Sequence, residues 1–276
     1  MQPSFSEVFA LSYRARVPSN PFTREGQFLD WPYPIPFAHR GGASDKPENT
    51  MAAFERAIEL GYRYLETDAH LTADGVLLAF HDHVLDRVTD RSGVVADLPW
   101  SEIQKARVDG EPIPLLEDLL GAWPDVRVNV DPKHDAAVGP LVQALGRCNA
   151  LDRVCVASFS DRRIAQMRAL SGGRLCTSMG RNAVAMSWLA SRTGRMPRFN
   201  ADCVQVPIRS GGIRVVDRRF VRAAHAAGLQ VHVWTVDDEP TISELLELEV
   251  DGIMTDKPSL LRAVLTHRGQ WSDAAD

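Results

Sequence analysis

The sequence predicts an α/β protein, a (β/α)8 TIM barrel built as a single domain. Short β-branched or apolar runs alternate with helical stretches of about 10 to 15 residues, and this alternation is typical of a parallel sheet. Eight such runs occur in the chain, and its 276 residues fall within the length range of one barrel. No G-x-G-x-x-G motif follows a predicted strand, which argues against the other arrangement considered, two Rossmann-like halves.

The barrel is expected to occupy residues 33–268, preceded by an irregular N-terminal arm at 1–32 and followed by a tail at 269–276. The arm could cover the barrel bottom or make a subunit contact. A short run at 76–82 follows the second strand through an Asp-Gly pair that indicates a hairpin turn, so only a small excursion is expected there. The predicted strands are 35–40, 64–70, 126–132, 154–159, 175–179, 203–207, 230–236 and 251–255.

The helical stretches between these strands follow one plan. The segment 50–61 carries apolar residues at helical spacing, starts at a threonine that can cap a helix and closes on Gly61. The segments 161–173, 217–228 and 240–252 have the same pattern of apolar residues and also end in glycine. We therefore expect one helix after each barrel strand.

Composition and charge narrow the class of protein. With 45% hydrophobic and 24% charged residues, the chain can bury a sizeable core. The net charge of −5 does not attract nucleic acid or anionic membranes, so any phosphate must be bound by local groups. No apolar run approaches the roughly 20 residues that cross a bilayer, and no signal peptide is recognisable, which predicts a cytoplasmic protein. The widely spaced Cys148, Cys155, Cys176 and Cys203 are expected to be buried, reduced thiols.

His39 and Arg40 stand together at the end of the first predicted strand. In barrels of this class the working residues lie at the C-terminal strand ends. An imidazole can exchange a proton near neutral pH, and a guanidinium can bind two oxygens of a phosphate or carboxylate. The pair therefore suits an oxyanion substrate, whereas in isolation it could also be a buried salt bridge.

Acidic side chains alternate on the second and third predicted strands. Glu66 and Asp68 are two residues apart and so point to the same face, as do Asn129, Asp131 and Lys133. Neighbouring carboxylates repel each other unless a positive charge lies between them, and oxygen ligands favour Mg²⁺ or Ca²⁺. The lysine could bind a substrate phosphate. An ion-pair network, or exposed charges at the strand end, is the alternative interpretation.

A second histidine, His81, ends the short run after the hairpin. With His39 it could provide a general acid and a general base on opposite sides of a reacting centre. His83 competes for this role on spacing, but it lies in a polar loop, so His81 is preferred. His70 shares the face of the second-strand carboxylates as a polar neighbour. Trp234 on the seventh strand could line the site or pack in the core.

Taken together, these segments resemble the glycerophosphodiester phosphodiesterase family. The resemblance runs in the family's order from about residue 35 to 267, and each motif is weak alone whereas the ordered set is specific. The motifs are HRG at 39–41, PENT at 47–50, E-x-D at 66–68, T-x-DG at 72–75, HD at 81–82, D-x-K at 131–133, WTV at 234–236 and TDKP at 255–258.

The resemblance implies a TIM-barrel hydrolase that splits a glycerophosphodiester into sn-glycerol 3-phosphate and an alcohol, using a divalent cation, Mg²⁺ or Ca²⁺. It implies that His39 and His81 are the acid/base pair and that Glu66, Asp68 and Asp131 are the metal ligands. The family commonly has a glutamate where this chain has an aspartate at 131. The shorter side chain could lengthen or hydrate that bond to the metal.

The resemblance also implies how the substrate is bound. Arg40 and Lys133 would hold the phosphate, and Trp234 would border the glycerol or the leaving-group pocket. Glu48 and Asn49 would lie in the site or just behind it. The implied partner is a small-molecule glycerophosphodiester, without nucleic acid and without a transmembrane segment; the head group and the oligomeric state stay open.

Two other functions are compatible with the same residues. One is a phospholipase D-like or lysophospholipid phosphodiesterase that forms a cyclic phosphate. The other is an inactive phosphodiester-binding module, which would be expected to lack one of the two histidines. The sequence does not choose between water and the glycerol 2-hydroxyl as nucleophile, and it does not show which histidine acts first as the base.

Overall fold

Eight parallel strands form the barrel in the computed structural model of the chain, which describes residues 28–32, 34–194 and 196–272. In chain order the strands of the described residues are β1 Ile35–Ala38, β2 Tyr64–Leu71, β3 Leu77–Ala79, β4 Arg107–Val108, β5 Glu111–Pro112, β6 Arg127–Pro132, β7 Val154–Val156, β8 Cys176–Thr177, β9 Cys203–Pro207, β10 Arg209–Ser210, β11 Ile213–Arg214, β12 Gln230–Trp234 and β13 Gly252–Thr255. The barrel strands are ordered β8-β7-β6-β2-β1-β13-β12-β9, so the predicted fold class is confirmed.

A helix follows each barrel strand in the described part of the chain, as predicted, and one short additional helix lies in the excursion after β2. Four of these helices have a side-chain cap: Thr50, Ser160, Asp217 and Asp238 each accept a hydrogen bond from a backbone N–H of the first helical turn. The helices are α1 Met51–Glu59, α2 Trp100–Ile103, α3 Leu116–Ala122, α4 Val138–Arg147, α5 Asp161–Leu170, α6 Arg181–Thr193, α7 Arg218–Ala226, α8 Glu239–Glu247 and α9 Pro258–His267.

The barrel closes between β8 and β9 through the backbone and side chain of one residue rather than through a strand ladder. The backbone N–H of Asp202 donates to the carbonyl oxygen of Thr177 at 2.9 Å, and the Asp202 carboxylate accepts from the backbone N–H of Thr177 at 2.8 Å. Burial raises the pKa of Asp202 to about 6. One buried aspartate therefore supplies the donor and the acceptor that join the two strands.

The predicted hairpin after β2 is present. β3 pairs antiparallel with β2, with Leu77 opposite Leu71, and Gly75 adopts the left-handed conformation that the turn requires. Residues 78–113 of the excursion build a small apolar cluster of their own, which includes Phe80 and Ile103. This cluster anchors the segment that carries His81.

The N-terminal end of the barrel is covered by residues that directly precede β1. Phe28 is fully buried and packs edge-on against Tyr64, whose hydroxyl donates to the Phe28 carbonyl oxygen at 2.6 Å. The Trp31 ring also packs against Tyr64. Within the predicted arm, the described residues thus cover the barrel bottom, whereas residues 1–27 lie outside the described part of the chain. The boundaries of arm, barrel and tail stay predictions.

The four cysteines are free thiols. The sulfur atoms of Cys155, Cys176 and Cys203 lie within 4.8 Å of one another in the barrel interior, on three successive barrel strands. Cys155 and Cys203 are fully buried, and Cys148 and Cys176 are half-buried. Among the described residues, no helix is long and apolar enough to cross a membrane. The cytoplasmic location stays a prediction.

Gly252 at the start of β13 provides a test of packing inside the barrel. A Cβ atom at this position would lie 2.8 Å from Cδ2 of His232 and 2.9 Å from Cε2 of Phe37, and both rings are fully buried. Gly252→Ala is therefore expected to lower the free energy of unfolding by about 1–3 kcal/mol, because a packed core resists added volume. Urea unfolding followed by circular dichroism measures this change.

The control is Gly121→Ala in α3, where an added Cβ meets no atom within 4 Å. Alanine has the higher helix propensity, so this variant should be stabilised by up to about 1 kcal/mol. Equal stability of the Gly252→Ala variant and the wild type would contradict the packing argument.

Candidate active site

A cavity of about 680 Å³ opens at the C-terminal ends of the barrel strands. This is the end at which barrels of this class carry their functional residues. Eight of the ten predicted site residues line it: His39, Arg40, Glu66, Asp68, His81, Asp131, Lys133 and Trp234. Glu48 and Asn49 do not line the cavity and contact its walls from behind.

Three carboxylates lie close together on two neighbouring strands. Glu66 and Asp68 alternate along β2, and the strand register places Asp131 of β6 directly opposite Asp68. Glu66 is 5% exposed and Asp68 is 2% exposed. Burial raises the pKa of Glu66, and the negative charge of Asp68 raises it further. Burial also raises the pKa of Asp131, to about 6. The cluster therefore has more negative charge than its surroundings readily solvate.

Two cations partly neutralise these carboxylates. The Lys133 ammonium lies 2.6 Å from Oδ1 of Asp68 and 3.0 Å from Oδ2 of Asp131. Nε of Arg40 lies 3.4 Å from Oδ2 of Asp68, and its backbone N–H donates to Oε2 of Glu66 at 3.1 Å. Burial alone would raise the pKa of Asp68, but Lys133 and Arg40 outweigh burial and lower it. The predicted phosphate-binding cations thus stand directly against the predicted metal ligands.

His39 is held by a carboxylate that directly follows the last barrel strand. Its Nδ1 lies 2.7 Å from Oδ1 of Asp256, and because a carboxylate only accepts, Nδ1 is the donor. Nε2 lies 3.7 Å from Oε2 of Glu66. Burial opposes the protonation of His39, but Glu66 and Asp256 outweigh it and raise the pKa of His39 above its usual value. The backbone N–H of Asp256 in turn donates to Asp237.

His81 is held in the same way by its neighbour in the sequence. Its Nδ1 donates to Oδ1 of Asp82 at 2.6 Å, and its backbone carbonyl accepts from Nε2 of His70 at 3.0 Å. Burial lowers the pKa of His81, and Asp68 and Asp82 offset only part of that effect. His83 is exposed and does not line the cavity. Each histidine of the cavity thus has a carboxylate on Nδ1, which leaves Nε2 available.

An ion-pair chain connects the two sides of the site. Oε1 of Glu48 accepts from Nη1 of Arg40 at 2.9 Å and from Nη2 of Arg87 at 2.7 Å. Arg87 also donates through Nε to Asp82 at 2.5 Å, and it lowers the pKa of Asp82 to about 2. The orientation of Arg40 is therefore coupled to the carboxylate that holds His81.

Asn49 contacts the carboxylates from behind the cavity. Its Nδ2 donates to Oδ2 of Asp68 at 3.2 Å, and its Oδ1 accepts from the Thr67 hydroxyl at 2.7 Å. Asn49 is 2% exposed and has a φ of 54°, a conformation that asparagine tolerates better than most residues. Both of its polar atoms are occupied by the protein, so Asn49 orients Asp68.

Three residues of this site were given no role by the sequence argument: Asp82, Asp256 and Arg87. Asp256 directly follows the predicted strand 251–255, in the TDKP motif, and Asp82 is the last residue of the short run 76–82, in the HD motif. These positions were the available signal. Arg87 lies in a polar loop without periodicity. Only the folded chain brings it to within hydrogen-bonding distance of Glu48, 39 residues earlier in the sequence.

The chemistry of the cavity defines a class of protein. Cations suited to an anionic phosphate lie next to two histidines that can transfer protons and next to carboxylates that can bind a hard metal ion. A barrel with this cavity belongs to the class of hydrolases that act on phosphate esters.

Comparison with known proteins identifies the family. A model of the Glycerophosphoryl diester phosphodiesterase family matches residues 39–260, so the chain belongs to that family and is a glycerophosphodiester phosphodiesterase. The chain is 45% identical to a probable glycerophosphodiester phosphodiesterase 2 of Mycobacterium tuberculosis, over 87% of this chain and 94% of that one. It is 30% identical to a glycerophosphodiester phosphodiesterase of Caldanaerobacter subterraneus, over 81% of this chain and 94% of the relative.

Solved structures show the same fold. A putative glycerophosphoryl diester phosphodiesterase from Silicibacter pomeroyi superposes with a TM-score of 0.76 at 23% identity, covering 89% of this chain and 98% of that one. An Oleispira antarctica phosphodiesterase, solved in complex with the product sn-glycerol-3-phosphate, superposes with a TM-score of 0.75 at 22% identity, covering 85% of this chain and 97% of that one.

The contact between Asp256 and His39 leads to a titration experiment. In Asp256→Asn a negative charge beside the ring is lost, so the protonated imidazole is less stabilised and the pKa of His39 is expected to fall. Loss of the carboxylate should also relax the preference for the tautomer protonated at Nδ1. Long-range ¹H–¹⁵N spectra of the ring, recorded against pH in metal-free protein, measure both effects.

Asp45→Asn is the matched control, because the Asp45 carboxylate bonds Ser44 and Ser259 instead of His39. The His39 titration should not move in this variant. An unchanged His39 titration in Asp256→Asn would contradict the role assigned to the aspartate.

Proposed function

We propose that this enzyme hydrolyses glycerophosphodiesters to sn-glycerol 3-phosphate and an alcohol by acid–base catalysis of two histidines beside a carboxylate-bound divalent cation. The observation that carries the proposal is the convergence of His39 and His81, each with a carboxylate on Nδ1, on one cavity that also contains Arg40 and Lys133. The phosphodiesterase names of the relatives support the reaction. The sn-glycerol-3-phosphate bound to the Oleispira antarctica enzyme supports the product.

The two histidines would divide the proton transfers. With Nδ1 bonded to a carboxylate, each ring presents Nε2 to the cavity, as a base when neutral and as an acid when protonated. One histidine would take the proton of the nucleophile, which is water or the glycerol 2-hydroxyl. The other would give a proton to the departing alkoxide. Asp256 and Asp82 would orient the rings and stabilise the imidazolium that forms.

Glu66, Asp68 and Asp131 are the residues that would hold the cation. Oδ1 of Asp131 is buried and forms no hydrogen bond among the described residues, so this oxygen has an unused lone pair. Carboxylate oxygens are the ligands that Mg²⁺ and Ca²⁺ prefer. Burial raises the pKa of Asp131 to about 6, and a cation beside it would favour its charged form. When bound, such a cation would polarise a phosphoryl oxygen.

Arg40 and Lys133 would bind the non-bridging phosphate oxygens. Nε of Arg40 is buried and, within the described part of the chain, has no hydrogen-bond partner. Glu48 fixes the guanidinium through Nη1, and thereby directs its remaining donors. Both cations would neutralise charge as it shifts in the transition state. The half-buried Trp234, which also lines the cavity, would border the glycerol carbons.

A substrate panel tests the reaction. Purified enzyme with Mg²⁺ or Ca²⁺ is expected to release glycerol 3-phosphate from at least one of glycerophosphocholine, -ethanolamine, -inositol and -glycerol, and to stop when a chelator is added. His39→Ala and His81→Ala should each lower kcat by about 10² to 10⁴-fold, because each removes a proton-transfer step. Their thermal midpoints should stay near that of the wild type.

His83→Ala is the matched control, because this exposed histidine lies only two residues beyond His81. It should keep full activity. An inactive His83→Ala together with an active His81→Ala would show that the second histidine is wrongly assigned, and no release from any substrate would refute the reaction.

Cation binding is tested without turnover. Mg²⁺ or Ca²⁺ at about 100 times its dissociation constant should stabilise the fold by about 2.7 kcal/mol, which is seen as a rise of the thermal midpoint. Asp131→Asn removes a ligand charge at nearly constant volume, so the rise should be lost. Asp152→Asn, an exposed aspartate paired with Arg174, should respond like the wild type. A midpoint that does not respond to either cation would contradict the metal site.

A further inference from the structure

Three cysteine side chains converge in the barrel interior. Cys155 lies on β7, Cys176 on β8 and Cys203 on β9, and their sulfur atoms are all within 4.8 Å of one another. The strand register places Cys155 directly opposite Cys176, and the Sγ atoms of Cys155 and Cys203 are 3.9 Å apart. None of the three lines the active-site cavity. These three residues, the thiol cluster, therefore have no part in the proposed reaction.

The spacing of the sulfur atoms is close to that of a metal site. A thiolate sulfur binds Zn²⁺ at about 2.3 Å, so two sulfurs on one ion are about 3.8 Å apart in a tetrahedral site and about 4.0 Å apart in a trigonal one. The distance between the sulfurs of Cys155 and Cys203 lies between these values. The other two pairs, at no more than 4.8 Å, would have to close by about 1 Å at most. The backbone thus holds three sulfur atoms near the spacing that one ion requires.

Buried polar groups flank the thiol cluster on the side of the active site. Nε2 of Gln205 lies 3.9 Å from Sγ of Cys203 and donates to Oδ1 of Asn129 at 2.8 Å. The ring of His232 is fully buried, with Nδ1 3.4 Å from Nε2 of Gln205 and Nε2 3.2 Å from Oε1 of Gln230. Because an amide oxygen only accepts, Nε2 is the donor and Nδ1 keeps its lone pair. Groups that hydrogen-bond to ligands in this way orient them around a metal ion.

The three thiols differ in how readily they ionise. Burial raises the pKa of Cys155 and of Cys176 well above the usual value, so both favour the protonated thiol. Burial would raise the pKa of Cys203 as well, but hydrogen bonds from the other two thiols and the nearby ring of His232 outweigh burial and lower it. Cys203 is therefore the thiolate that a cation would meet first, and the other two thiols would release their protons on binding.

The thiol cluster also spans the seam at which the barrel closes. β8 and β9 are the two ends of the strand order, and Asp202 joins them through its contacts with Thr177. Cys176 directly precedes Thr177 on β8, and Cys203 directly follows Asp202 on β9. An ion bound to both sulfurs would connect the two strands next to the aspartate, where no ladder pairs them among the described residues.

We propose that Cys155, Cys176 and Cys203 bind one soft, thiophilic metal ion, Zn²⁺ or Cu⁺, which joins β8 to β9 and stabilises the closed barrel. Thiolates select such ions, whereas the carboxylates of the cavity suit Mg²⁺ or Ca²⁺. The thiol site is thus separate from the proposed active-site cation, and it does not depend on the proposed reaction. The result that opposes this inference is that the three cysteines only pack as small apolar side chains.

A metal titration tests the proposal. Full-length protein, freed of metal and kept reduced, is titrated with Zn²⁺ or with Cu⁺ in the presence of excess Mg²⁺. We expect one ion of at least one of these metals per chain after gel filtration, and for Cu⁺ a thiolate-to-metal absorption band in the near ultraviolet. The thermal midpoint should rise with binding. Hydrogen exchange of the β8 and β9 amides should slow more than that of the β2 amides, because the ion joins the seam.

Substitution of the thiols supplies the residue-level test. Cys203→Ser and Cys176→Ser should each weaken binding by about 100-fold or more, because loss of an outer-shell partner alone costs about 10–100-fold. Cys148→Ser is the matched control, since this half-buried thiol directly follows α4 and lies outside the thiol cluster. It should bind the ion like the wild type. Asp131→Asn should also retain the soft ion, because the carboxylate belongs to the other site.

The outcomes separate the alternatives. If the wild type retains neither Zn²⁺ nor Cu⁺, the inference is wrong whatever the variants do. Binding that persists in both Cys203→Ser and Cys176→Ser also overturns it, and the second variant decides alone if the first does not fold. Loss of the ion in Asp131→Asn would place it at the carboxylates and would likewise overturn the thiol site. The phosphodiesterase assay with Mg²⁺ or Ca²⁺ is independent of all three results.

Discussion

Repulsion among three buried carboxylates is the constraint on which the site depends. Glu66, Asp68 and Asp131 lie at one strand edge, where burial penalises their charge and adjacent register keeps them together. Such a cluster is tolerated only with cations beside it, and Arg40 and Lys133 fill that need in the protein alone. A divalent ion and an anionic phosphate are the two kinds of ligand that complete this charge pattern. The unfavourable charge of the site without ligand is therefore the source of its proposed affinity for a divalent cation and a phosphate.

The two histidines lie beside these charged groups, and each is held by its own aspartate. His39 receives its carboxylate from the far end of the chain, and His81 receives its carboxylate from the next residue. Glu48 and Arg87 then join Arg40 to the His81 side, so the proton-transfer groups and the phosphate-binding groups share one hydrogen-bonded framework. Polar groups fixed in this way need little rearrangement during the reaction, which is how preorganised sites stabilise a transition state.

The two ends of the cavity are built by different strands of the barrel. β1, β2, β6 and β13 or the loops after them supply the polar end of the cavity, whereas the elements that follow β7, β8 and β9 supply its apolar end. Because each loop rests on its own strand, the apolar wall can differ without disturbing the carboxylates. In this chain the apolar wall includes α6 and a hairpin tied together by Trp188.

The sequence by itself determined the barrel and the main polar residues of the cavity. Strand and helix alternation is a local property, and the period of two along a strand places Glu66 and Asp68 on one face without knowledge of the rest of the fold. The tertiary structure decided which distant groups meet. Asp256 lies 217 residues from His39, and Arg87 approaches Glu48 through a loop without periodicity. The apolar end of the cavity likewise consists of side chains from separate elements. Contacts between elements depend on barrel closure and loop packing, which no local sequence period encodes.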